Sequence, residues 1–177
     1  LNGIWVHSEM TTKEKAPKPA MKRWALDIEA EMERLNRPKG DEPGAQGPAA
    51  YCLPQHATPT ALYFPYQFVQ TQDMLVQVTE YLTPGHRLIY LDGRPHPDPD
   101  VYVPGWFGHS VGRWEGDTLV IESTGFNEIT PGYAIHSDQL QVIERITMPN
   151  NNEIQVEITA TDPVAWEKPF TAKFRAG

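Results

Sequence analysis

The chain has 177 residues, a formal net charge of −8 from 15 Lys and Arg against 23 Asp and Glu, and 40% hydrophobic residues. It is long enough to bury a core as one domain without a metal or disulfide staple, and its negative balance argues against nucleic acid or an anionic membrane as partner. It holds no apolar run long enough for a membrane span, and the lone Cys52 excludes both an internal disulfide and a cysteine-based metal site.

In chain order, GIWVH (3–7) reads as a short strand. PAMKRWALDIEAEMERLN (19–36) is the one clear helix. Its Met21, Trp24, Ala25, Ile28, Met32 and Leu35 form one apolar stripe, expected to pack on the body of the fold. Residues 37–62, rich in proline and glycine, read as a long surface loop that includes Cys52 and His56. From residue 63 to 177 the pattern is β. PYQFVQT and MLVQVTEY flank a Gln72–Asp73 turn; RLIYL follows; HSVGRWE and TLVIEST flank Gly116–Asp117, a two-residue hairpin signal. LQVIERITM and EIQVEITAT flank PNNN, and FTAKFRA closes the series. That pattern predicts a single, mainly β domain: an antiparallel β-barrel or strongly curled sheet of about eight strands, with one N-terminal helix and long loops.

Ile154, Val156, Ile158 and Ala160 alternate with polar residues, so that strand has an inner and an outer face. In the preceding strand Leu140, Val142, Ile146 and Met148 share a face, and Glu144 falls in their register. A carboxylate among inward apolar residues needs a partner or a changed ionisation. Three readings stand: an acid/base or metal-ligating role, a structural ion pair with an arginine such as Arg94 or Arg113, or a bulge that turns Glu144 outward.

Histidine is the natural source of acid–base or metal chemistry near neutral pH. His96 sits in the proline-flanked DGRPHPDPD, while His109 and His136 each precede a serine at the start of a predicted strand. If those strands start at one rim, the two imidazoles converge there. With Glu144 or His96 they would make a ligand set for a divalent transition metal, zinc or iron. A metal-free histidine–carboxylate pair and plain loop anchoring are the other readings. Arg94 or Arg113 would clamp an anionic group, and Arg94, clustered with Asp92 and Asp98, is equally suited to staple a loop by forking onto a carboxylate. Trp106 and Phe107 suit either a cover over a pocket or a plug at one end of the barrel. His7 and His86 read as surface residues beside strand ends. No G-x-S-x-G, G-x-x-x-x-G-K-[ST], G-x-G-x-x-G or H-E-x-x-H motif is present.

RLIYLDGRPHP, GHSVGRWEGDTLVIESTGFN, HSDQLQVIERI and ATDPVAWEKPF together resemble a family of uncharacterised, exported bacterial proteins with GRPHP, GHSxGxWEGDTLV and HSxxLxxxER motifs. The resemblance implies export and a β-rich body, and assigns no residue a role in catalysis. The architecture is also similar to lipocalin-like barrels, which licenses no function. The start of the sequence shows neither an initiator methionine nor a leader pattern, which fits a removed leader or a trimmed start.

The expectation is therefore a periplasmic or secreted enzyme of lyase, isomerase or hydrolase type, acting on a small sugar-like or aromatic compound. In it His109, His136 and Glu144 do the chemistry, and Arg94, His96, Trp106, Phe107 and Arg113 hold the substrate. The alternatives are a non-catalytic binder of an apolar ligand or haem and an accessory subunit of an extracellular assembly; every one of these readings, the enzyme included, leaves room for a homo-oligomer.

Overall fold

The computed structural model describes residues 3–6, 18–36, 65–80, 85–128 and 134–177; His7 and the expected loop 37–62, with Cys52 and His56, lie outside them. Nine strands form one sheet in chain order: β1 (Gly3–Trp5), β2 (Tyr66–Gln70), β3 (Met74–Thr79), β4 (His86–Tyr90), β5 (His109–Glu115), β6 (Thr118–Thr124), β7 (Gln141–Asn150), β8 (Glu153–Thr161) and β9 (Phe170–Ala176). Just past its two edges, the Val6 N–H donates to the Gly177 carbonyl at 3.1 Å and the Gly177 N–H to the Val6 carbonyl at 2.9 Å. The sheet is thereby nearly closed into a barrel. The eight strands read after the helix are all present, and GIW supplies the ninth.

Inner and outer faces follow the period of two. Ile154, Val156, Ile158 and Ala160 of β8 are buried in alternation with half-exposed neighbours. Tyr66, Phe68, Leu75, Ile89, Leu119, Ile121, Val142 and Ile146 complete the apolar interior. Met148 departs from expectation at 36% exposure, because the β7–β8 register shifts between Thr147 and Asn150 and ends the alternation there. At the β5–β6 hairpin Gly116 adopts a φ of 60°, the left-handed conformation that a tight turn demands of its first residue. Gly112 is needed for space: a Cβ there would lie 2.8 Å from Leu91 Cδ2 and 3.0 Å from Ile89 Cγ2.

Two features differ from the sequence reading. First, β4 and β5 pair in parallel, Ile89 opposite Ser110 and Tyr90 opposite Val111. The connection between them, residues 91–108, is a crossover rather than a hairpin, so β5 starts at the same end of the barrel as β4. Second, the helix α1 (Arg23–Asn36) begins later than residue 19 and buries little of its stripe. Met21 and Ala25 are buried, whereas Trp24, Ile28 and Met32 are 39%, 44% and 48% exposed. The backbone from 20 to 22 is held in extended form instead: Lys22 N–H donates to the Ala165 carbonyl, Glu167 N–H to that of Ala20, and Met21 bridges Trp166. Those bonds dock the start of the helix at the turn after β8 and leave its length outside the core.

Candidate functional site

The crossover between β4 and β5 builds the densest chemical constellation on the outer wall. Side chains of successive strand residues point to opposite faces, so His109 faces outward while the neighbouring Ser110, 1% exposed, faces the interior. The crossover returns His96 to His109, with the two Nδ1 atoms 2.9 Å apart and the rings edge-on. Tyr90 stacks on His109 at 5.2 Å between centroids, Tyr102 meets it edge-on at 5.9 Å, and the Arg94 guanidinium lies 3.9 Å over the Tyr90 ring. Arg94 also forks onto Asp92 and holds that carboxyl below its usual range, so it staples its own loop.

Next to this cluster lies a groove of about 300 Å³, lined by His109, Tyr90, Tyr102, Trp106, Phe107 and the edge of β4 from His86 to Leu88. Phe107 is buried and Trp106 half-buried, so the two aromatics form wall rather than a projecting cover. Gly108 sets the angle at which the chain enters β5: its φ is 61°, and a Cβ there would strike the Thr124 carbonyl oxygen. A second groove of about 440 Å³ runs along β7–β9 beside Arg145, Lys173 and Arg175. Those three cations are paired with Glu115, Glu157 and Glu153, and none of the sequence candidates lines the groove.

Burial lowers the affinity of both imidazoles for a proton. For His96 the nearby Glu122 charge opposes the effect in part; for His109 the His96 and Arg94 charges reinforce it. An Nδ1–Nδ1 hydrogen bond requires one ring to donate and the other to accept. The pair therefore holds together when neutral or carrying one extra proton, and breaks when both rings are imidazolium. If the His109 Nδ1–H donates, its Nε2 is a free lone pair, and a proton taken there leaves the hydrogen bond to His96 intact. That is the arrangement of a general base with an orienting partner. The His96 Nε2 is buried and has no hydrogen-bond partner among the described residues.

Inside the barrel is a second polar cluster, whose arginine the sequence reading missed. Glu144, 0% exposed, pairs with Arg87, 1% exposed, at 2.5 Å. The Arg87 Nε–H donates to Ser110 Oγ at 3.0 Å, its Nη2–H also reaches Ser123 Oγ at 2.7 Å, and the two serine hydroxyls are 2.9 Å apart. Burial, and then the Glu144 charge, push the Tyr66 phenol well above its usual range. Glu144 is thus in an ion pair, but neither Arg94 nor Arg113 is its partner. Arg113 lies on the outer wall with Glu115. The signal for Arg87 was in RLIYL, where residues 87 and 89 share a face.

His136 does not join His109. It is buried in the segment before β7, its Nδ1 2.9 Å from the Ser137 carbonyl oxygen. Ser137 in turn donates through its N–H and Oγ–H to the buried Asp162. That carboxylate also accepts from the Val164 and Ala165 N–H groups, so it ties the chain before β7 to the turn after β8. With Glu144 inside, His109 outside and His136 at this tie, the expected zinc or iron ligand set is not assembled. Among the described residues no three His, Cys, Asp or Glu side chains group to hold a metal ion. No helix among them is long and apolar enough to cross a membrane. Compared with family models, curated proteins and solved structures, the chain matches none.

Proposed function

We propose that the protein is an enzyme carrying out acid–base chemistry of lyase, isomerase or hydrolase type on a small aromatic or sugar-like compound bound in the groove beside His109. The observation that carries this reading is the His96–His109 contact of 2.9 Å in the wall of an aromatic-lined groove. His109 is the base that touches substrate, His96 orients it, and Tyr102, Trp106 and Phe107 offer flat faces to a ring. Held neutral by burial, His109 is ready to accept a proton at neutral pH. Export to the periplasm or beyond is part of the proposal and rests on the motif resemblance alone.

The test is a substrate screen followed by His109→Asn. Loss of kcat by about 100-fold or more, with the circular dichroism spectrum unchanged, is expected of a general base. The wild-type kcat/KM should rise with pH through an inflection below 6.5, the ordinary histidine value. An H109N variant that turns over at the wild-type rate overturns the assignment.

A further inference from the structure

We infer that residues 92–104 form a strap beside the His109 groove, that the His96–His109 contact latches it, and that acid releases it and opens the groove. The strap leaves the end of β4 and is tied to the sheet again at Gly105, whose N–H donates to the Gly125 carbonyl and whose carbonyl accepts from the Asn127 N–H. Between those points, among the described residues, its backbone bonds only within the strap, as from the Val101 and Tyr102 N–H groups to the Asp98 carbonyl. Pro95, Pro97, Pro99 and Pro104 stiffen it and have no N–H to offer the sheet. Arg94 bonds to Asp92 inside the strap. Among the described residues, the one side-chain hydrogen bond from strap to barrel is that between His96 Nδ1 and His109 Nδ1 at 2.9 Å. Tyr102 meets the same His109 ring edge-on at 5.9 Å and lines the groove. One histidine on the wall thus holds the strap at its middle and near its far end.

The latch has a proton limit. An Nδ1–Nδ1 hydrogen bond needs a lone pair on one ring, and an imidazolium has none. With both rings protonated, two N–H groups and two positive charges face each other across the contact. His96 adds to this, because its Nε2 is buried and meets no partner among the described residues. A charged N–H left unpaired there costs more than a neutral one, and lifting the strap gives it to water. The surrounding charges do not reverse the balance. Arg94 lies over Tyr90 on the β4 side and is paired with Asp92. Glu122 on β6 favours a charged His96, but its Oε1 already accepts from Gln141 Nε2 at 2.8 Å. Three positive charges would then stand against two negative ones, and the flanking Tyr90 and Tyr102 phenols are uncharged in acid. With the strap lifted, Tyr102 leaves the groove and His109 Nδ1 is uncovered, while Trp106 and Phe107 stay behind the Gly105 tie. The inference concerns where the backbone sits, and it stands whether or not His109 is catalytic.

The experiment is backbone NMR relaxation of strap and strand amides, from pH 7 down to the point where the ring-nitrogen signals show His96 and His109 both as imidazolium. At pH 7 the order parameters of Arg94, His96 and Asp100 to Val103 should match those of the strands, about 0.85, and they should fall below about 0.6 once both rings are charged, with the strand values kept. His96→Gln cannot take up a proton, so its strap should behave alike at both ends of the titration. The wild-type comparison needs no variant and so stands even if H96Q does not fold. A strap that stays ordered with both rings charged, or one already mobile at pH 7, overturns the inference. So do strap and strands that loosen together, or an H96Q strap that loosens in acid as the wild type does. Turnover is not the readout, so this result is separate from the fate of the catalytic assignment.

Discussion

Removing Glu144 with Glu144→Leu leaves the Arg87 guanidinium in a place that 1% side-chain exposure closes to water, with Ser110 and Ser123 Oγ as its acceptors among the described residues at 3.0 and 2.7 Å. Hydroxyls accept its hydrogen bonds but do not neutralise it, and an arginine cannot escape by losing its proton. Breaking such a pair on one side costs about 3–5 kcal/mol. At about 2–4 °C per kcal/mol for a chain of this size, the thermal midpoint should fall by about 6–20 °C. Arg87→Met leaves the buried carboxylate without its cation instead, and should cost a similar amount. The double variant Arg87→Met/Glu144→Leu should recover most of the loss, since an apolar pair of similar volume often replaces a buried ion pair without penalty. Urea unfolding of the four proteins, read as a double-mutant cycle, measures the coupling directly. A single-variant cost under about 1 kcal/mol, the worth of an exposed pair, or additive losses would refute the reasoning.

Two further outcomes are expected. His96 and His109 are held below 6.5, chiefly by burial. The unfolded chain therefore binds protons first as the pH falls through that value, and native stability declines until the folded-state rings titrate; urea midpoints from pH 7 downward should fall more steeply in the wild type than in His96→Asn/His109→Asn, and equal slopes would contradict the assignment. Gly108→Ala meets both a φ of 61° and the Thr124 carbonyl, whereas Gly116→Ala meets a φ of 60° and open space. Gly108→Ala should cost more than about 1 kcal/mol and the most between the two, and thermal shifts showing it no worse than Gly116→Ala would disprove the close-contact argument.

How much of this was legible beforehand varies with the range of the interaction. The two-residue alternation in EIQVEITAT and the Gly116–Asp117 turn are local signals, and both gave their elements correctly. The burial of Glu144 was equally readable, since its register among Leu140, Val142 and Ile146 is a local pattern. Its partner was not, because Arg87 lies 57 residues away and reaches Glu144 only across β5 and β6. The same limit applies to the imidazoles. The starts of β5 and β7 do share a rim, through Ser110 opposite Ser123 and Ser123 opposite Val142. His96 reaches His109 nevertheless, because the crossover before β5 folds back on the wall, while His136 is drawn to Ser137 and the Asp162 tie. The helix stripe misled for another reason: amphipathic spacing tells which face is apolar, and the docking of residues 20–22 decides whether that face meets the core.

The bond pair between Val6 and Gly177 has a consequence for how the molecule comes together. Among the described residues the other pairings along the sheet join consecutive strands, and most of these are hairpins with short connections that form quickly. This one joins opposite ends of the described chain, so the barrel seals only after all nine strands are in place. Until then β1 and β9 present open edges, and an open edge is a template for another chain. Refolding at high concentration should accordingly lose material to aggregation in proportion to the time spent unsealed, and trapping Val6 and Gly177 apart should favour edge-to-edge association over the closed barrel.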